Sequence, residues 1–486
     1  MPVDTNNLDG ETGGPDAGVD AATCTTTGGG GGGEDEKVAA FLARCGLKPS
    51  TVAAAHDFAG TKFPGCEVAP APFQGYCSYT LLLLPPTPGG RRRDSGVEAG
   101  DGSSNGGGGG GSGKGFPAGV EKGSNLLVQF RPGRHGIDVG VCAEARGVFG
   151  SGIVPGVEDL GALTGLETVG AGRGDDGELR AYALERVGGV SLTEFRGLSA
   201  ALGMDPRACR RRVVADLAIV FADSWRGRRE RRDVAKGKVG GSLRWRVEVL
   251  AKGLPKDLRG VARGAMEELE EVEGLLPWVV THGDLVPDNI LVHPPCEDVD
   301  DGARGWNGRR QREMRERAGG LVGLIDWAEA EWLPFGVGMY GLEEVLGEDV
   351  PVEDDGPKSG GSNATSASGG PAATRFEYYP EANALRNLFW DEVGRVVGDD
   401  DVIRRARLAQ VLGVLLWRGI AFDDGALGRV VDERDWWDLQ RLRVWLFGDG
   451  GLGLAGSKEE EREVQGRRRR WLSKVWRLVR RCFKAF

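Results

Sequence analysis

Cysteine pairs, long apolar runs and an excess of positive charge are all missing from this 486-residue chain. Eight cysteines are present (Cys24, Cys45, Cys66, Cys77, Cys142, Cys209, Cys296 and Cys482), but they are scattered and none forms a Cys-x-x-Cys pair. That argues against a zinc site or a disulfide scaffold and makes reduced thiols the expectation. No apolar stretch reaches the ~18–20 residues a membrane-spanning helix needs. The net charge is −10, which argues against general nucleic-acid binding. The residues after Met1 are polar, acidic and glycine-rich rather than a charged start followed by an apolar run, so no secretory leader is read and a cytoplasmic protein is expected. Glycine, by contrast, is in excess: 82 of 486 residues, against a usual ~7%. Much of it lies in runs, so the folded part is expected to be shorter than the chain.

Those runs divide the sequence. Residues 1–35, ending near the run Gly28 to Gly33, cannot bury enough apolar surface to offset chain entropy and are expected to form a disordered tail. Glu34 to Leu47 puts acidic residues first and then Val38, Phe41, Leu42 and Cys45 at helical spacing, so the folded part starts on an amphipathic helix. Residues 85–123 read as a flexible insertion within a hairpin, because strand sequence resumes at once at Asn125 to Arg131. The charged stretch 296–320 and the Ser/Gly-rich stretch 352–374 read as two further inserted loops. A strand over Leu179 to Val187 ends at Gly188-Gly189, which suits a hinge. Beyond it, helices are expected over Leu192 to Leu202, Pro206 to Trp225 and Leu243 to Leu276, the last broken at Gly253-Leu254-Pro255. Helical spacing returns from Phe376 through Phe389, then over Val402 to Phe422 and Trp436 to Phe447. The order predicts an α+β protein of two lobes, a β-rich one over 36–187 and an α-rich one over 188–450, with disordered glycine-rich insertions.

The chemistry concentrates in Val279 to Val292, where two apolar runs flank the polar loop His282-Gly283-Asp284-x-x-x-x-Asn289. Phosphoryl transfer from a nucleotide needs a carboxylate to orient and accept the proton of a hydroxyl, here Asp284. It also needs a neutral oxygen to help hold Mg²⁺, here Asn289. The run Leu321 to Ile325 ends on Asp326, a candidate second metal ligand. Upstream, Gly75 and Ser78 sit in a turn that leads into Tyr79 to Leu84 and offers backbone amides and a hydroxyl to phosphates. Arg131 ends a strand and Glu144 follows on a helix over Ile137 to Val148, a cation and carboxylate of the kind that grips α- and β-phosphates. Backbone groups around Glu185 to Val187 are placed to meet an adenine edge. Each has a plainer reading as well: any β-hairpin for the glycine turn, a surface Arg and a solvated Glu for the pair, a polar turn for the loop.

His282-Gly283-Asp284 with Asn289, followed by Ile325-Asp326-Trp327, resembles the aminoglycoside phosphotransferase family, which includes choline-kinase-like enzymes and has the protein-kinase-like fold. The nearer resemblance is to fungal proteins with that domain, through Gln74 to Thr80, Val128 to Arg131, and Ile325 to Glu331 running on through Pro334-Phe335-Gly336. The resemblance implies a kinase taking the γ-phosphoryl of ATP to a small-molecule hydroxyl, with Asp284 as base, Asn289 and Asp326 as Mg²⁺ ligands and His282 holding the loop by hydrogen bonds. Two departures stand out. Arg131 replaces the usual Lys, and Trp332 to Gly336 lacks the Asp of the Asp-Pro-x-x-Asp pattern found in antibiotic-modifying members. A pseudokinase scaffold is the alternative from another class. A protein kinase fits less well, since the loop is not His-Arg-Asp and no Asp-Phe-Gly or Ala-Pro-Glu follows.

Past a linker over 451–466, residues 467–486 carry nine basic side chains and no acidic one, leaving −19 on the other 466 residues. Trp471, Leu472, Val475, Trp476, Val479 and Phe483 recur at three- and four-residue steps. This predicts a basic amphipathic helix for an anionic membrane surface, for a protein groove or for the acidic body itself.

Overall fold

The computed structural model describes residues 34–84, 126–169, 177–202, 204–295, 316–352, 374–422 and 429–454. The expected N-terminal tail up to residue 33, the insertion 85–123, most of the other two insertions and the basic segment 467–486 lie outside the described residues.

Alternation along Leu126–Arg131 (β3) sets the first layer. Leu126, Val128 and Phe130 enter one core, which leaves Leu127, Gln129 and Arg131 on the opposite face. β3 is central in a five-stranded antiparallel sheet. Its order is Glu67–Pro70 (β1), Tyr79–Leu84 (β2), β3, Leu179–Glu185 (β5) and Val157–Leu163 (β4). Leu83 stands opposite Leu126, so the chain entering residue 85 returns to the neighbouring strand. Helices Glu34–Arg44 (α1) and Ser50–Lys62 (α2) cover one face through Phe41, Leu42, Ala55 and Ala59. Helix Val139–Phe149 (α3) lies on the other side, capped by the Asp138 carboxylate, which accepts from the amides of Gly140 and Val141. β5 is the seam. Its Leu179, Ala181 and Ala183 join the first core, while Tyr182 and Leu184 join a second, larger one with Cys142 and Ala145 of α3.

The larger core belongs to the helical part. Leu192–Ala201 (α4), Pro206–Arg226 (α5), Leu243–Gly253 (α6) and Lys256–Leu275 (α7) follow within a residue or two of expectation. Local signals explain this: Ser191 and Asp205 cap α4 and α5, Pro206 opens α5, and Leu254-Pro255 separates α6 from α7. Three long helices, Ala382–Val397, Asp400–Gly419 and Trp436–Phe447, complete it. Between them run short antiparallel pairs: Trp278–Thr281 (β7) with Glu331–Pro334 (β10), and Ile290–Val292 (β8) between Val190–Ser191 (β6) and Leu321–Leu324 (β9).

Two expectations change. Thr374–Tyr378 is a strand rather than the start of a helix, paired with Gly347–Pro351 so that Asp349 faces Phe376. Phe376 is buried between exposed Arg375 and Glu377, a period of two that three-residue spacing to Tyr379 and Ala382 had masked. The end of the stretch expected as an inserted loop is folded too. Ala318 is buried in the second core, and its carbonyl accepts from Arg212 and from Cys209 Sγ. Among the described residues, no helix is long and apolar enough to cross a membrane.

Candidate active site

The loop from His282 to Asn289 joins β7 to β8 and is held from below by its own first residue. His282 is buried; its Nε2 meets the Ile325 carbonyl at 2.7 Å, and its Nδ1 accepts from the Asp284 amide at 3.3 Å. Burial pushes its pKa down to about 4, so the ring is neutral, with the proton on Nε2 donated to Ile325. The Trp327 ring lies 4.6 Å from it. The Ile325 amide donates back to Asn289, so the loop and the strand leading to Asp326 are stitched together. Gly283 has φ +81°, and a Cβ there would stand 1.9 Å from the Glu329 carbonyl. That contact is why the loop reads His-Gly-Asp: no side chain fits between the two polar residues.

Asp284 is half-buried. Asn289 Nδ2 donates to its carboxylate at 3.0 Å and to its carbonyl at 2.8 Å. Both partners are acceptors, so the amide nitrogen faces Asp284 and the Asn289 oxygen faces away. Burial pushes the Asp284 pKa up to about 7, helped by the charges of Asp326 and Glu329 against the pull of the Asn289 hydrogen bond. Asp326 goes the other way. Burial acts to raise its pKa too, but the Arg131 guanidinium outweighs burial and holds it below the usual carboxylate value. Asp326 also sits at φ 60°, the one non-glycine with positive φ among the described residues. Such a backbone costs roughly 1–3 kcal/mol and is typical of positions fixed for function.

Arg131 therefore reaches this group from the sheet: Nη2 donates to Asp326 Oδ1 at 2.8 Å and Nε to Gln129 Oε1 at 3.1 Å. Glu144 does not join it, contrary to the expected pairing. Its carboxylate accepts from Arg229 at 3.0 Å and from Trp332 Nε1 at 2.7 Å, on the side of α3 away from Arg131. The α3 side chain in the field of Arg131 and Asp326 is Cys142, whose thiol is pushed up to about 12, first by burial and then by Asp138.

The glycine turn is fixed from several sides. The Thr80 amide donates to Gln74 Oε1, Gln74 Nε2 donates to the Ala71 and Thr80 carbonyls, and Arg44 donates to the Tyr76 carbonyl. Ser78 is buried with its hydroxyl 3.5 Å from that of Thr80, and a Cβ on Gly75 would come 3.1 Å from Ser78 Oγ. At the hinge, the Glu185 carboxylate accepts from Arg146 and from the Gly156 amide, and its own amide is engaged by the Gly156 carbonyl. Its backbone donor is thus used inside the protein. Val187 lies against Gly323 of β9.

Two contributors carried weak signals in the sequence. Gln129 shares a face with Arg131 by the period of two. Tyr340 stacks on Trp417 at 4.8 Å and accepts from the Leu285 amide at 3.0 Å, the latter a contact spanning 55 positions.

Among the described residues, no three His, Cys, Asp or Glu side chains gather as a metal-holding group. A Mg²⁺ ion nonetheless fits the donor set, because it takes one or two protein oxygens and completes its shell with phosphate and water. Asp326, 40% accessible, and the outward-facing oxygen of Asn289 supply those two.

No family model and no curated protein matches the chain. Solved structures do give distant likenesses. One is a thermostable mutant of an aminoglycoside phosphotransferase in ternary complex with ADP and hygromycin B (12% identity, 80% of this chain and 97% of that one, TM-score 0.37). Another is a putative aminoglycoside phosphotransferase from Ralstonia eutropha (12%, 86% and 96%, TM-score 0.39). A third is a microcompartment-associated aminopropanol kinase (11%, 82% and 98%, TM-score 0.36). The chemistry of the site does not follow from them; it follows from the residues just described.

Proposed function

We propose that the protein is a Mg²⁺-dependent phosphotransferase that moves the γ-phosphoryl group of ATP to a hydroxyl of a small molecule. One observation carries the reading. A strand cation, a loop carboxylate with its amide partner, and a strained aspartate from three separate segments converge where the two cores meet. Asp284 would take the proton of the acceptor hydroxyl as that oxygen bonds to phosphorus and the bond to the bridging oxygen breaks, its electron pair leaving on ADP. A carboxyl with a pKa of about 7 is poised for this near neutral pH. Asn289 orients Asp284 through the amide, and its oxygen together with the Asp326 carboxylate would hold the metal. His282, neutral and doubly bonded, keeps the loop in place without entering the proton transfer. Mg²⁺, when bound, draws charge from the phosphate oxygens. Most of the rate enhancement then comes from positioning and charge stabilisation.

Thermal shift with ATP and Mg²⁺ tests the division of roles. Wild type should be stabilised, Asp326→Ala should lose the nucleotide-dependent shift, and Asp284→Ala should keep it while losing transfer to acceptors in a metabolite extract. No shift of wild type at millimolar ATP would overturn the reading.

A further inference from the structure

Arg131 is 3% exposed, and its charge is already engaged inside the molecule. In the arrangement expected from the sequence, a helix carboxylate would neutralise this cation and leave the metal-binding aspartate free. Here α3 offers it none, because Glu144 is held by Arg229 and Trp332 and the nearby thiol of Cys142 is neutral. Among the described residues, Asp326 is the one carboxylate bonded to Arg131. Of the two oxygens that fit a divalent cation, those of Asp326 and Asn289, the Asp326 carboxylate carries the charge.

These two demands on Asp326 conflict. A bare cation meets two protein oxygens, of which the charged one is already neutralised at 2.8 Å, and Asn289 alone cannot make up the deficit. A phosphate entering beside Arg131 changes the balance. It offers the guanidinium a more highly charged partner, which the planar fork can grip with two hydrogen bonds. Turning to it returns Asp326 to full charge. Gln129 stays on Nε and keeps the side chain in place while Nη2 changes partner.

We infer that Arg131 is a counter-ion shared between Asp326 and the phosphates of an incoming nucleotide, so that the Asp326–Asn289 site gains its affinity for a divalent cation only once an anion has drawn Arg131 away. Arg131 is then a positioning residue for the metal site as well as a phosphate contact. The identity of the anion rests on the phosphotransferase reading; the counter-ion role rests on the ion pair alone. By reciprocity, cation and phosphate raise each other's affinity by the same factor.

Mn²⁺ binding to the full chain, followed by the spin-resonance signal of the free ion with and without ADP, tests this directly. Without ADP, Arg131→Gln should bind Mn²⁺ about tenfold more tightly than wild type, the scale of an ordinary coupling between sites. Asp326→Asn should abolish binding in both backgrounds, and ADP should raise Mn²⁺ affinity far more in wild type than in Arg131→Gln. Because Asp326 is 40% accessible, water can solvate it once its partner is gone, and Arg131→Met, which fills the same buried volume, serves if the Gln variant fails to fold. Equal Mn²⁺ affinities of wild type and the neutral variants, in the absence of ADP, overturn the proposal. If ADP leaves wild type unaffected while the neutral variants still gain Mn²⁺ affinity, the counter-ion role stands and the nucleotide reading falls.

Discussion

The charge of Asp326 helps raise the pKa of Asp284, and of the two carboxylates only Asp326 has a guanidinium bonded to it among the described residues. Arg131 keeps Asp326 ionised, so the burden of burial falls on Asp284, whose pKa of about 7 stands above the ordinary 3.8. The sign for stability follows. The folded state binds this proton more tightly than the unfolded chain, so this group's contribution to stability is fullest below the ordinary value of 3.8 and is lost as pH rises to about 7. Asp284→Asn removes that penalty and keeps an acceptor for Asn289. The nucleotide-free variant should therefore melt above wild type at pH 8, by a margin that shrinks toward pH 5, while losing transfer altogether. Melting curves at the two pH values check this, and a margin independent of pH would refute it. A site residue that weakens its own fold is the expected signature of a group kept for chemistry.

Behind the loop, the elements of the helical part are joined by a buried ionic network. Glu344, 2% exposed, accepts from Arg418 and from Arg441 (2.7 Å), while Arg418 also reaches Asp438 and Arg441 also reaches Asp349. Burial acts to raise the Glu344 pKa, yet the two guanidinium groups outweigh it and the carboxylate stays charged. The network ties the short helix Gly341–Val345 to helices Asp400–Gly419 and Trp436–Phe447 and to strand Gly347–Pro351. The first of these follows Tyr340, which holds the Leu285 amide next to Asp284. Removing Glu344 takes away the carboxylate that the two buried guanidinium groups share and leaves each with a single acidic partner among the described residues, Asp438 for Arg418 and Asp349 for Arg441. Glu344→Ala is expected to cost about 3–5 kcal/mol in urea unfolding. A loss under 1 kcal/mol would mean that Asp438 and Asp349 alone suffice to hold Arg418 and Arg441.

At the scale of the molecule, β2 and β3 are neighbours in register, Leu83 opposite Leu126, although about forty residues separate them. The register of the pair sets no particular length on the connection, and loop closure depends only weakly on length. Deleting residues 87–120 should leave cooperative unfolding and any nucleotide-dependent thermal shift unchanged. Loss of either would show that the segment contributes structure to the sheet.

Sequence alone determined what depends on neighbours along the chain. The caps Ser191 and Asp205, Pro206 at the head of its helix and Pro255 at a break placed the boundaries of four helices, because capping and breaking act within one turn. The spacing of His282, Asp284 and Asn289 was equally legible, since the Asn289 amide reaches Asp284 across five positions. Tertiary structure decided which charges meet. Arg131 bonds Asp326 across 195 positions, and Glu144 bonds Trp332 across 188. A residue on β3 and one on α3 look like partners when each element is read alone. Which carboxylate a cation finds is set by how a helix is rotated against a sheet, and that rotation is chosen by the core as a whole. Here Cys142 and Ala145 turn inward and carry Glu144 to the far side.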